Sequence, residues 1–155
     1  MRRLYPEFVT GPGAVGLLVV RLVAGIAMML HGWPKVQHLT SWMPKEAPIP
    51  GPLQAAAALS EFLGGLAWAL GLLTPIASFF LACTMAFAVF AVHVGQGHPF
   101  VASKPGAPSA EAAAGYLAIA VLLMLAGPGR LSIDAGLFGG RRGGPTAAVR
   151  HEPAA

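Results

Sequence analysis

Arg21 and Glu61 are ionisable residues set inside apolar stretches, Arg21 within Ala14–Leu30 and Glu61 within Leu53–Leu73. A charged side chain at the centre of a bilayer costs at least about 2.5–3.5 kcal/mol on insertion scales. Two such residues of opposite sign imply a pair, a function, or both. Other titratable groups sit close by in the sequence. His31 and Lys35 close the Arg21 stretch, His93 closes a third apolar stretch and Glu111 opens a fourth, with His38 and His98 in the adjoining segments. Histidine titrates near neutrality, and a neighbouring carboxylate can orient it. A quinone headgroup at interfacial depth needs a donor at each carbonyl, and His and Lys can supply one. The competing reading is that these side chains face water and lipid headgroups while their stems stay in the apolar layer. No HxxxH or CxxC spacing is present, so no metal site is expected. Cys83, the single cysteine, excludes a disulfide within the chain and a CxxC redox pair. In an apolar run it reads as a small buried packing residue.

The elements that position these residues are membrane spans. The chain has 155 residues, 55% hydrophobic and 10% charged, against about 25% charged in an ordinary soluble domain. Too few charges exist to coat a soluble surface, and the apolar residues form long runs. The net charge is +4 and the isoelectric point about 9.9, but the basic residues lie in tails and loops. No basic stripe with interleaved aromatics exists, so a nucleic-acid partner is excluded.

Residues 1–13 read as a short polar tail. They do not read as a cleaved signal peptide, because Arg21 would break its apolar region. Four spans are expected: 14–33, stopped by Pro34; 53–73, closed by Gly71 and the Thr74-Pro75 turn; 76–94, ending at His93; and 112–126, ending in Gly127-Pro128-Gly129. A span needs about 20 residues at 1.5 Å each, so the fourth is short, with Glu111 and Arg130 at its interfaces. The tight turn after the second span makes the second and third antiparallel neighbours. Pro48, Pro50 and Pro52 bias the loop before the second span to extended backbone. After Asp134, residues 135–155 read as a basic, disordered tail.

Lys and Arg near the span ends orient the bundle. Arg2 and Arg3, with Arg130, Arg141, Arg142 and Arg150, place both termini on the cytoplasmic side; the loops carry Lys35, Lys45 and Lys104. The expected fold is all-α, an antiparallel four-helix transmembrane bundle. The three domain parts are 1–13, 14–134 and 135–155. Counted from the apolar ends, Arg21 and Glu61 differ in depth by roughly one turn, close enough for an interhelical ion pair in the bundle interior. Gly65-x-x-x-Ala69 and Ala67-x-x-x-Gly71 let helices approach closely.

Arg21-x-x-x-Gly25 and His31-Gly32-x-x-Lys35 resemble the first-helix signature of the DoxX family. Glu61-x-x-Gly64-Gly65, running on to Gly71-Leu72-Leu73-Thr74-Pro75, resembles its second motif. Gly127-Pro128-Gly129-Arg130-Leu131-Ser132-Ile133-Asp134 resembles its closing segment. The resemblance covers about Ala14 to Asp134. It implies a small four-helix integral membrane protein, mostly bacterial, multi-pass in the cytoplasmic membrane. Some relatives are membrane subunits of thiosulfate:quinone oxidoreductases. Others are associated with redox stress or with quinone and catechol detoxification. The positions it picks out are Arg21, His31, Lys35, Glu61 and Asp134. The basic tail and the proline-rich first loop depart from the family pattern.

Asp134 opens a second choice of pairing: it can meet Arg130 four residues back, or reach Arg21 and leave Glu61 free. The leading functional expectation is a membrane subunit of a redox system, candidate part of a quinone-linked oxidoreductase. In it His31 and Lys35 bind or protonate the headgroup, with His93 beside them. Glu61 carries a proton or balances charge, and Arg21 is its counter-ion. No haem, flavin or iron–sulfur motif is present, so electrons would come through a redox partner protein or a bound quinone. The lipid bilayer is a partner in every case, and a homo-oligomer is a further candidate. The alternatives are a non-catalytic assembly or anchoring protein and a small transporter gated by the charged pair.

Overall fold

The computed structural model describes residues 5–44 and 49–139. Among them every regular element is helical: α1 (Pro12–Val36), α2 (Gly51–Leu70), α3 (Thr74–Phe87) continuing into a π-helical segment (Ala88–Val94), α4 (Glu111–Ala126) and α5 (Ile133–Phe138). Three helical stretches, Pro12–Val36, Gly51–Leu70 and Thr74–Val94, are long and apolar enough to cross a membrane, and Glu111–Ala126 is a shorter apolar helix. Large apolar side chains stand on the outside, among them Leu30 at 70% exposure and Leu125 at 69%. In water that surface would be a liability; against lipid tails it is the expected one. The chain is a multi-pass helical membrane protein.

Proline and glycine set the helix limits. Pro12 opens α1, where its missing N–H is needed by nothing. Pro50 precedes α2 at φ −58° and ψ 144° as expected, but Pro52, expected in extended backbone, lies in the first turn of α2, where a proline's missing N–H costs nothing. Gly71 ends α2 in the left-handed region at φ 65°. Pro34 does not stop α1 as the sequence suggested: the helix runs on to Val36. In the last turn a proline forfeits one backbone bond, and its φ is already helical. Three further residues of α1, Lys35 among them, are thereby held on a rigid element.

The core joins the four long apolar helices: Leu17, Ala24 and Met28 of α1, Trp68 of α2, Leu81 and Met85 of α3, and Ala120 and Leu123 of α4. Helices α1 and α2 make the closest seam. A methyl group on Gly25 would lie 2.6 Å from the Gly65 carbonyl oxygen, and one on Gly65 would lie 2.6 Å from that of Gly25. The small-residue spacing read at Gly65 and Ala69 is this contact, since the Gly25 position also faces Ala69. Helices α2 and α3 are joined by side-chain hydrogen bonds. The buried Trp68 indole donates to Ser78 Oγ at 2.9 Å, and the Ser60 and Thr84 hydroxyls lie 2.6 Å apart.

The chain does not turn irregular directly after Asp134. Ser132 caps α5, accepting the Ala135 N–H at 3.1 Å, and the helix carries on to Phe138. Residues 1–4 with Arg2 and Arg3, residues 45–48 with Lys45, and the rest of the basic tail from residue 140 onward lie outside the described residues.

Candidate functional site

Two polar clusters form, one at each end of the α1–α2 seam. At the first, Arg21 is 1% exposed. Its Nε donates to the Trp68 carbonyl at 3.0 Å, and its Nη1 to the carbonyls of Pro128 at 2.6 Å and Leu131 at 3.0 Å. The Trp68 carbonyl ends α2, where it also accepts the Gly71 N–H at 3.0 Å, and those of Pro128 and Leu131 lie in the turn after α4, outside any helical ladder. A guanidinium, with five donors in a fixed fork, is suited to several acceptors at once.

Asp134 completes this cluster from α5. Its oxygens accept the Leu73 and Thr74 backbone N–H groups at 2.7 and 2.9 Å. It therefore caps α3, where the carboxylate also meets the positive end of the helix dipole. Leu73 stands at φ 49°, a left-handed conformation that this carboxylate helps to hold. Asp134 also acts on Arg21 electrostatically. Tyr5 joins it from the N-terminal segment, with its phenol hydrogen-bonded to Asp134. Burial, then the Asp134 charge and that hydrogen bond, push the phenol well above its ordinary range. The Tyr5 ring stacks on Phe8 and on Phe138 of α5, centroids 5.7 and 5.0 Å apart. Arg130, the other proposed partner of Asp134, is exposed.

At the opposite end, Lys35 Nζ lies 2.6 Å from both carboxylate oxygens of Glu61. The Glu61 side chain is 4% exposed and that of Lys35 26%. The expected Arg21–Glu61 pair is thus not formed; Lys35 takes the carboxylate. The cause is register. The seam sets Gly32 against Phe62 and Gly25 against Gly65, so Arg21 arrives beside Trp68 and Gly71. Gly71 is roughly 15 Å further along the chain path than Glu61 at helical rise. Depth counted from apolar ends missed this, because α1 extends through Pro34 and α2 starts at Gly51.

The Lys35–Glu61 pair borders a cavity of about 430 Å³ between α2, α3, the π-helical segment and the segment after α1. Its walls are mainly apolar, with Leu53, Phe80, Phe87 and Val92 prominent. Trp42 roofs it: its ring centroid lies 4.6 Å from Lys35 Nζ, a cation–π contact, and its indole N–H donates to the Gln54 carbonyl at 2.9 Å. Gln54 ties the same segment down, accepting the Met43 N–H at 3.1 Å and donating to the Ile49 carbonyl at 2.9 Å. Cys83 lines the cavity and is exposed, not buried as its apolar surroundings suggested. An α3 residue facing out of the bundle meets lipid or cavity, not a helix.

The histidines do not gather here. His31 is exposed and its ring meets Tyr116 of α4 edge-on, centroids 5.9 Å apart. His93, at the end of the π-helical segment, sits with Nδ1 3.2 Å from Nδ1 of His98. Glu111 is exposed at the start of α4. Among the described residues no group of three or more His, Cys, Asp or Glu side chains could hold a metal ion. Sequence reasoning thus found Lys35 and Glu61 but not their bond. It passed over Ser60 and Thr84, whose hydroxyls in apolar helices were a signal of pairing.

What the pair and the cavity can do is hold a neutral, lipid-soluble molecule with a polar end. A bulk anion would meet Glu61 and a bulk cation Lys35, while the walls favour apolar surface.

Comparison with known proteins agrees with the motif reading. The model of the DoxX family matches residues 16–94, a stretch that includes both Arg21 and the Lys35–Glu61 pair. A Haemophilus influenzae protein described as uncharacterized is 30% identical over 124 residues, covering 79% of this chain and 90% of that protein. No solved structure matches. With its helical membrane architecture, its motif residues Arg21, Lys35, Glu61 and Asp134 seated at the two polar clusters, and these similarities, the chain belongs to the DoxX family.

Proposed function

We propose that the protein is a membrane subunit of a quinone-linked redox system of the cytoplasmic membrane, with the cavity beside Lys35 and Glu61 as its headgroup site. The observation that carries this is a buried carboxylate–ammonium pair at the edge of an apolar space in a membrane span. Intramembrane ionisable residues mark ligand or proton routes by default, and this pair, unlike Arg21, stands beside open space. Lys35 and Glu61 position the headgroup, and Glu61 is the proton-carrying group. His31 and His93 stand outside the cavity lining and take no direct part. Electrons come through a redox partner protein or a bound quinone, since the chain carries no haem, flavin or iron–sulfur motif.

The spans run antiparallel with both termini cytoplasmic. Support comes from the reversed order of contacts along the seam, Arg21 with Trp68 and Lys35 with Glu61, and from the basic residues toward both ends of the chain. Tags placed in the segments 37–50 and 95–110 should be reached only from outside the cell.

Solvent extraction of the protein purified in mild detergent tests the function. Wild type should release quinone, Glu61→Gln should release less, and Lys35→Met should release little. Absence of quinone from wild type, together with no redox partner in gentle pull-downs, would overturn the reading. A second reading, a non-catalytic assembly or anchoring protein, draws on the other end of the seam, where Arg21 spends its donors on backbone carbonyls. It requires Glu61→Gln to leave quinone content and partner redox activity unchanged.

A further inference from the structure

The hydrogen-bonding capacity left open in the cavity is one-sided. A lysine ammonium has three N–H donors and no acceptor. Two of the Lys35 donors serve the Glu61 oxygens at 2.6 Å each, and the third has the Trp42 ring face 4.6 Å away. The Trp42 indole N–H is engaged with the Gln54 carbonyl. Ser60 donates to the Ala57 carbonyl at 3.2 Å, which leaves the Thr84 hydroxyl to donate to Ser60. The donors nearest the ion pair are therefore spent. The acceptors are not: a carboxylate offers about four lone-pair sites, and Lys35 uses two. The remaining Glu61 lone pairs are the strongest unspent hydrogen-bonding groups at the polar end of the cavity.

An oxidised quinone brings only acceptor oxygens and meets no free donor at the ion pair unless the Lys35–Glu61 bond breaks; the second Gln54 amide N–H, away from the pair, is what the wall still offers it. A quinol brings hydroxyl donors, which the spare lone pairs can accept without disturbing the pair. We propose, resting on the reading of this cavity as a quinone-type site, that it selects the reduced form. The occupant is a neutral, lipid-soluble aromatic diol whose hydroxyl donates to Glu61. Its ring lies among Phe80, Phe87 and Trp42, and its tail leaves along the apolar wall. A hydrogen bond to a charged acceptor corresponds to at least about tenfold in affinity.

The test uses the full chain in lipid nanodiscs and a fully ring-substituted decyl benzoquinone, which cannot alkylate a thiol by ring addition. The oxidised compound and its previously reduced quinol are titrated under argon. Occupancy is read as protection of Cys83, the single thiol, from a lipid-soluble maleimide. The quinol should protect at a concentration at least about tenfold lower than the quinone does. Equivalently, the midpoint potential of the couple should rise by about 30 mV or more over protein-free discs. Glu61→Gln, whose amide offers an N–H as well as an oxygen, should level the two forms. Ala57→Trp, which fills the cavity and keeps the ion pair, should abolish protection by both. Equal or tighter binding of the quinone, or an unraised midpoint potential, overturns the inference while leaving the site intact. Failure of both forms to protect, with an unshifted potential, overturns the quinone reading itself.

Discussion

The two ends of the α1–α2 seam each bury a charged residue, and they solve the problem differently. Arg21 is surrounded by fixed backbone carbonyls from two segments, with the Asp134 carboxylate nearby already committed to the α3 N-terminus. The residues involved come from α1, α2, the start of α3, α5 and the turns between, and among the described residues the Thr74 hydroxyl is the buried polar atom there without a partner. Lys35 and Glu61 satisfy each other side chain to side chain, and one flank of their bond is open to a cavity. Charges locked to backbone stabilise an architecture. Charges locked to each other next to space can exchange partners when a ligand arrives. On the function proposed above, the first cluster serves stability and the second is the ligand site.

The sharpest way to break that contrast is Arg21→Leu. It strands the Pro128 and Leu131 carbonyls and leaves Asp134 without its neighbouring cation, and should cost about 3–5 kcal/mol. Little folded protein should survive a thermal melt in detergent. Arg21→Lys should recover only part, because an ammonium lacks the planar fork. Next in size is Gly71→Ala. Gly71 sits at φ 65°, and a methyl group there would lie 2.5 Å from Ser132 Cβ and 2.8 Å from Arg21 Cζ. The expected loss is about 1–3 kcal/mol, seen as a lower melting temperature with quinone content retained by the folded fraction.

Glu61→Gln probes the other side of the comparison. Lys35 can turn toward headgroups when released, so stability should fall by only about 1–2 kcal/mol while the preference for the reduced ligand is lost. If Arg21→Leu proves milder than Glu61→Gln on melting, the division between the two ends fails. Tyr5→Phe is the smallest effect, about 0.5–1.5 kcal/mol near neutral pH. Its signature lies in alkali. The folded state holds the phenol proton above the ordinary range, so the contribution is full below about pH 10 and declines as pH rises beyond it. Wild type should therefore lose stability more steeply than Tyr5→Phe in melts above that pH.

Much of this was legible in the residues. Long apolar runs, turn prolines and Gly-Pro-Gly located the helices, and the small residues at 65 and 69 marked the close seam. Arg21, Lys35, Glu61 and Asp134 were singled out by charge and motif. What the residues could not supply was register. Whether Arg21 meets Glu61 or Trp68 depends on which glycines interlock, and that depends on packing across two helices separated by some fifteen residues of loop. The same gap hid the Lys35–Glu61 bond, because Pro34 read as a stop and left Lys35 in a loop. Cys83 was misplaced because an apolar neighbourhood in sequence does not say whether lipid, protein or a cavity lies outside the helix. Asp134 was read as an ion-pair partner because a carboxylate beside arginines suggests one. Its role as a remote cap on α3 spans about sixty residues of chain and leaves no local pattern.

The π-helical segment Ala88–Val94 is closed by bonds five residues apart, with Gly95 N–H to the Phe90 carbonyl at 3.1 Å and His98 N–H to that of His93 at 2.9 Å. Such a segment is an α-helix that has absorbed one additional residue, which shifts the angular phase of everything after it by about 100°. Val92 faces the cavity and His93 faces His98 only because of that phase. Deleting one residue from the segment would leave its composition almost unchanged and its apolar length within a fraction of a turn. It would nevertheless swing a different side chain onto the cavity wall and draw the His93–His98 rings apart. The shape of the binding space is in this sense written as a count of residues as much as a choice of them.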